Sequence, residues 1–487
     1  MNAELEPTIT FFNGTSTIGG VQVSVRSGNS EVFFDFGVTP NPSGALFSRS
    51  SPAPVEGSLA AHLRAGMAPH VEGLYDPTQL TPTGGSVAST IEPMAGTGRM
   101  LSQTSVFDHA ENTAIFVSHI HNDHCELLPF VSPDVPVLMS ADSAALYAGL
   151  TEVGALRATP AAVRGLVEGE HVAIGGMDLE LVHVDHDIPG AAGFILQAGN
   201  RRIAWTGDWR GHGHAPERMA AFAERAAGVD LLITEGTTLR PDSSPSKPLS
   251  EVEIAERVDR ILGATAGLAF VTPYPRNLRR LAGLRDAATA NGRTLVLRHE
   301  TLAGWRAAVR HGLSVPQLDD IGAPIAVLTT GDSDTNLLAG HAQVAIDDIR
   351  ANRGDFLVEL QVPDRWVALA VGAGPDDVLI HSNGQPLGAW DPEWTSLTAW
   401  VETLGLDFVW LDSGGHATPD DLAWLVETVR PGAVAAVHSA HPQLFPRTSA
   451  KLILPVRGQS FTLSQPISPA LGTRSADSER TMIPCVL

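Results

Sequence analysis

Between residues 119 and 124 the chain reads His-Ile-His-Asn-Asp-His, three imidazoles and a carboxylate in six positions of a 487-residue sequence with 18 histidines. A solvated loop gains nothing from such crowding, and a strand has room for one imidazole per face every two residues. Nitrogen and carboxylate donors at this density suit zinc or a similar first-row ion, with metal–ligand distances of roughly 2.0–2.2 Å. Cysteine offers no alternative. With only Cys125 and Cys485 there is neither a disulfide framework nor a cysteine zinc site.

The cluster follows an apolar, β-branched run, Thr-Ala-Ile-Phe-Val-Ser (113–118), so its donors sit on the turn after a strand. The opening, "TITFFNGTSTIGGVQVSVRSGNSEVFFDFG", reads as two apolar strand segments divided by Gly/Ser/Asn turns. From Val38 to about Asn112 comes a Pro/Gly/Ser-rich stretch with one helical segment, "SLAAHLRAGMAPHVEGLY", a length that suits a lid or a disordered segment. Beyond residue 113 strands alternate with helices: "VPVLMS", "SAALYAGLTEVG", "DLELVHVDH", "AGFILQAG", "RRIAWTGDW", "PERMAAFAERAAG" and "VDLLITEG". Such alternation points to an α/β architecture.

A second α/β unit is expected over 241–380, with the βαβ rhythm of a small doubly wound domain. Within it "FLVELQV" and "WVALAVG" read as a hairpin, and "DVLIHSN" as a buried strand. The first pattern returns over 381–466, in "LDFVWLDSGGHATPDDLAWLVETVRPGAVAAVHSAHP", and 467–487 reads as a loose tail.

Composition excludes some classes. A hydrophobic share of 43% and a charged share of 18% describe an ordinary globular protein. No apolar run reaches the ~18 residues that a membrane-spanning helix needs, and no secretory signal opens the sequence, so the expectation is a cytoplasmic protein without a membrane partner. The net charge of −22 argues against a nucleic-acid coat protein, although basic and acidic residues nearly balance between 241 and 380. Arginine outnumbers lysine 30 to 2, a bias attributed to base composition rather than function.

The His-x-His-x-Asp-His motif resembles that of the metallo-β-lactamase superfamily. The resemblance implies one further histidine, met by His186 in "LVHVDHDIPGAAGF", an aspartate, met by Asp208 in "IAWTGDWRG", and a last histidine, met by His438 in "PGAVAAVHSAHP". It further implies two divalent ions, Zn2+ foremost with Mn2+ or Mg2+ as alternatives. His119, His121 and His186 would hold one, Asp123, His124 and His438 the other, and Asp208 would bridge them about an activated hydroxide. "DHDIPGAAGF" followed by "WTGDW" looks like the ribonuclease J stretch in which a His-Ser-Ile-Pro phrase precedes Thr-Gly-Asp-Phe. The middle unit resembles the β-CASP domain in place and pattern. The fold implied is a metallo-β-lactamase αββα sandwich over 1–240 and 381–466, with an inserted Rossmann-like β-CASP domain over 241–380.

That branch implies a phosphodiesterase acting on RNA or single-stranded DNA. Its catalytic candidates are Asp123, His416 as general acid in "SGGH", and Glu235 as its orienter in "LLITEG". Arg276, Arg279 and Arg280, spaced i, i+3 and i+4, are expected to face a nucleic-acid groove. Ser382, Asn383 and Gly384 are expected to contact phosphate, and Ser413 to contact substrate. The alternatives are a hydrolase of a small ester, lactone or thioester, and an inactive nucleic-acid- or partner-binding subunit. His183 reads as structural, His212 and His214 as surface loop, His441 as outer sphere or loop, and Cys125 as packing. "CELLP" (125–129) stands where the family has a glycine pair. No room is expected for the C-terminal domain typical of ribonuclease J, which leaves a homo-oligomer open.

Overall fold

The computed structural model describes residues 6–38, 58–80 (apart from residues 65, 70 and 72), 90–91, 101–102, 112–241, 248–315, 325–329, 341–361, 364–383 and 392–463. The opening stretch forms three strands rather than two: Thr8–Asn13, Gln22–Ser27 and Ser30–Phe34, an antiparallel meander. Asn112–Phe116, Val137–Ser140 and Val163–Leu166 extend it in parallel, and Gln459–Thr462 closes the other edge. A second seven-stranded sheet runs Lys451–Ile453, Ala433–Val437, Leu231–Glu235, Arg201–Trp205, Ala192–Ala198, Met177–His183, His171–Ile174.

The period of two along each strand decides how these sheets pack. Phe34 and Phe116 face the second sheet, their rings 4.4 and 4.9 Å from Phe194. They join Val23, Leu179, Ile203, Leu231 and Val437 in one apolar layer between the sheets. Their neighbours Phe33 and Ile115 point the other way, into a core shared with the helices. Helices Ala141–Glu152, Glu217–Arg225 and Pro419–Val429 cover the outer faces. This is the αββα sandwich expected.

A third sheet is parallel throughout, in the order Ala342–Ala345, Ile325–Thr329, Thr294–Leu297, Phe356–Glu359, Ala269–Pro273, Val378–Ser382, Asp407–Trp410. Two expectations are corrected here. The boundary at residue 380 falls inside this sheet, because Asp407–Trp410 pairs with Val378–Ser382 and not with the sandwich. The supposed hairpin is absent: Phe356–Glu359 is an interior strand, while Arg365–Ala370 is a helix burying Val367 and Ala368 and exposing Trp366. A one-turn helix and a short strand are hard to separate in six residues.

The inserted unit is pressed onto the sandwich by direct backbone approach. A Cβ on Gly149 would lie 2.3 Å from Ala308 N, so helices Ala141–Glu152 and His299–Arg310 touch main chain to main chain. Within the same core, "CELLP" finds its explanation. Leu127, Leu128 and Phe130 are buried against Leu59, Leu63, Leu74 and Tyr75, and Ser132 N donates to Leu74 O. Apolar residues replace the glycines because the described part of the 38–112 insertion packs on them. Lid residues expected between 81 and 111 lie mostly outside the described residues, as do Gly384 and the tail.

Candidate metal centre and catalytic site

Strand C-termini converge at one end of the sandwich and deliver the donors. Asn112–Phe116 leads into His119–His124, Met177–His183 into His186, Arg201–Trp205 into Asp208, and Ala433–Val437 into His438. Two residues there hold left-handed backbone although neither is glycine, Asp35 at φ 54° and His438 at φ 50°. Such conformations cost on the order of 1–3 kcal/mol each and persist where the surroundings over-determine them. Here hydrogen bonds do so. Asp35 Oδ1 accepts from Ser118 N at 2.6 Å, and its Oδ2 accepts from Ser118 Oγ and His124 Nδ1, both at 2.9 Å. A Cβ on Gly37 would lie 1.7 Å from Asp123 O, so that position must be glycine.

The same pattern fixes the tautomers. Ser118 Oγ gives its proton to Asp35 and so accepts from His119 Nδ1 at 2.9 Å. His186 Nδ1 donates to Gly415 O at 2.6 Å, and His438 Nδ1 donates to Thr237 Oγ1 at 2.7 Å, whose own proton goes to His438 O. In His119, His124, His186 and His438 the Nε2 lone pair therefore points into the centre. His121 is turned the other way. Its Nδ1 lies 3.0 Å from His119 Nε2 and 3.4 Å from His186 Nε2.

These donors form the groups His119–His121–His186, Asp123–His124–His438 and His119–His124–Asp208. Asp208 Oδ2 stands 3.2 Å from His124 Nε2, 3.5 Å from His438 Nε2 and 4.0 Å from His119 Nε2. Asp123 Oδ2 stands 3.0 Å from His438 Nε2 and 3.8 Å from His124 Nε2. Ligands about 2.1 Å from a common ion lie roughly 3–4 Å from each other, so the residues fit two divalent ions. Their chemistry fits as well: imidazole nitrogens and carboxylate oxygens converge, and His124 Nε2 and Asp208 Oδ1 are buried without a hydrogen-bond partner. Burial, then the neighbouring imidazoles, hold His119 well below the usual histidine range. Burial likewise brings His186 down to about 4, against the pull of Asp187. Neutral imidazole is the form that binds a metal.

Glu235 and His416 meet beside this centre. The Glu235 carboxylate is fully buried and accepts from Trp209 N, Ala417 N and Thr237 N at 3.0, 3.2 and 3.3 Å. Its Oε2 is 3.0 Å from His416 Nδ1, which is also 3.6 Å from Asp208 Oδ2. Burial disfavours a charge on His416, but Glu235 foremost, with Asp208 and Asp187, outweighs it and holds the ring up to about 9.

The arginine expectation divides. Arg276 spans the cleft to Ile120 O at 2.8 Å and Asn122 Oδ1 at 3.0 Å. Arg279 is half-buried, beside Arg218. Arg280 is corrected outright: it is buried, and its five N–H groups go to Glu251 Oε1 and Oε2, Ser382 O, Asp412 Oδ1 and Ser413 Oγ. Ser413 Oγ also accepts from Arg210, and Ser382 is buried under Arg280, so both belong to this network rather than to an open groove. Asn383 is half-buried at the end of its strand. His212 Nε2 donates to Ser413 O and His214 faces Glu251 at 3.4 Å, which places both in the same network instead of a surface loop. His183 pairs with Glu168, away from the centre. Cys125 is buried among apolar side chains. His441 joins none of the candidate metal groups.

Sequence reasoning missed Asp35, Asp187, Thr237 and Arg210. Asp35 left a faint signal, a lone acid ending the strand "EVFFDFG". Arg210 left none. It is fully buried, donates to Ser413 Oγ, Gly414 O and Glu251 Oε1 at 2.7, 2.9 and 2.7 Å, and ties the His416 loop to the inserted unit.

The fold and the centre define a protein of the metallo-β-lactamase type. A model of the β-lactamase superfamily domain matches residues 94–265. Ribonuclease J of Mycobacterium tuberculosis is 26% identical over 359 residues, 70% of this chain and 60% of that protein. Ribonuclease J of Thermus thermophilus is 27% identical over 229 residues, 44% of this chain and 39% of that protein. The chain thus spans about 60% or less of the length of these relatives. A crystal structure of a protein of unknown function from Enterococcus faecalis V583 shares the fold, with a TM-score of 0.73, 23% identity, and coverage of 94% of this chain and 100% of that one. This chain is thus similar to the metallo-β-lactamase superfamily over residues 94–265 and to ribonuclease J over a larger share of its length.

Proposed function

We propose that this protein is a two-metal phosphodiesterase of the β-CASP kind that cleaves RNA. His119, His121 and His186 would hold one ion, Asp123, His124 and His438 the other, with Asp208 shared between them. Divalent ions in such a site supply a water of lowered pKa and polarise the phosphoryl oxygens. The chain's own groups do the rest. Glu235 is pinned by three backbone N–H groups and stands as counter-charge 3.0 Å from His416 Nδ1, which leaves Nε2 to donate a proton to the leaving oxygen. Asp123, with 32% of its side chain exposed, is the ligand most open to substrate.

The observation that carries the nuclease reading is the 3.0 Å pairing of His416 with Glu235 beside Asp208. Opening of a lactone, whose leaving alkoxide stays attached, has less need of a poised acid. Ribonuclease J relatives support RNA as the substrate class. To test it, the purified protein is incubated with zinc or manganese and end-labelled RNA and single-stranded DNA bearing 5′-phosphate or 5′-hydroxyl. A chromogenic lactone is assayed in parallel. Cleavage of RNA that disappears in Asp208→Ala is expected. Turnover of the lactone alone, lost in the same variant, establishes the small-ester hydrolase in its place.

A further inference from the structure

Four of the five ligand histidines are oriented from outside by an acceptor on Nδ1: Ser118, Asp35, Gly415 O and Thr237. His121 is the exception, since its Nδ1 faces the centre and its outer nitrogen is Nε2. That Nε2 is buried and makes no hydrogen bond, and the buried Oδ1 of Asp187, 3.4 Å away, likewise makes none. Asp187 is pressed into place by the His416 loop, because a Cβ on Gly415 would come within 3.1 Å of its Oδ2. Tyr274 of the inserted unit closes on the His121 ring edge-on, with centroids 5.3 Å apart. Asp187 stands where the resembling His-Ser-Ile-Pro phrase has serine.

We propose that Asp187 is a positioning residue for the metal centre: it receives the Nε2 proton of His121 and so commits that ring to bind through Nδ1. A histidine ligand needs its non-ligating N–H accepted, and losing such an acceptor costs about 10–100-fold in metal affinity. A serine hydroxyl can accept as well, but only the carboxylate, which has no proton of its own to offer, forces the Nε2–H tautomer.

The inference rests on the two-metal reading, and the experiment separates the two. Metal-stripped wild type, Asp187→Ala and Asp187→Asn are titrated with zinc against a chromophoric chelator. Imidazole 15N NMR of the zinc-loaded proteins identifies the ligating nitrogen of His121. Wild type should bind two ions, with His121 Nδ1 ligating. Asp187→Ala should keep both sites, one of them weakened about 10–100-fold, and show mixed Nδ1 and Nε2 ligation. Asp187→Asn, whose Oδ1 still accepts, should recover most of the loss. Unchanged affinities and Nδ1 ligation in Asp187→Ala overturn the proposal. Loss of one ion in both variants also overturns it, because Asp187, whose Oδ1 is equally 3.4 Å from His186 Nε2, would then be a ligand. Failure of wild type to bind zinc, manganese or magnesium rejects the metal centre itself.

Discussion

At the scale of single residues, the centre is made by outer partners as much as by ligands. Asp35 serves Ser118 and His124 together and holds a strained backbone to do it. Asp35→Ala should therefore weaken the ion held by His124 about 10–100-fold, read by zinc competition, with RNA cleavage rescued at high metal. His416 should behave differently. His416→Gln should keep two ions by elemental analysis while cleavage falls about 10²–10⁴-fold, the usual worth of a general acid. Loss of an ion in that variant would move His416 from proton donor to ligand. The candidate ligands were legible because four of them lie within six residues and the others follow apolar strands in a familiar order. Asp35 and Asp187 were not, since a lone carboxylate has no periodicity to betray it.

At the scale of elements, Glu251 begins the helix Glu251–Ala264 and is the buried counter-charge for Arg210 and Arg280. Burial would raise its carboxyl, but Arg280 and then Arg210 hold it well below the usual carboxylate range. Glu251→Ala strands two buried guanidinium groups and should cost about 3–5 kcal/mol in urea denaturation. The sign with pH follows from the depressed value. The stabilisation is complete above the unfolded pKa of about 4.3 and is lost as pH falls towards the folded one. Acidifying from about pH 5 to 3 should thus narrow the gap in urea midpoint between wild type and Glu251→Gln; a constant gap would assign the pair no electrostatic role. Arg280 shows why spacing misled. An i, i+3, i+4 set shares a helix face, but only packing against Glu251 and Asp412 says that part of this face is interior.

At the scale of the whole molecule, the centre gathers strand ends from both sheets, and the inserted unit reaches it through Tyr274 and Arg276. Metal should therefore stabilise the folded chain as a whole. Zinc at a hundredfold its Kd should add about 2.7 kcal/mol, raising Tm over the chelator-treated protein. An unchanged Tm would mean that the ligands do not depend on the fold. No helix of the described residues is long and apolar enough to cross a membrane. The charge of −22 makes a salt test informative, because RNA affinity should still fall as salt rises if local arginines contact phosphate.

By itself the sequence determined which residues are candidate donors, the order of their motifs and the alternation of strands and helices, since each is written in residue types a few positions apart. Tertiary structure alone decided which nitrogen of each histidine faces inward, which arginine is interior and where the inserted sheet ends. Those properties depend on groups far apart in the chain, such as Asp123 and His438, separated by 315 positions yet 3.0 Å apart at the centre. No local pattern can encode a contact whose two halves are specified independently and meet only when two sheets and an inserted domain have packed.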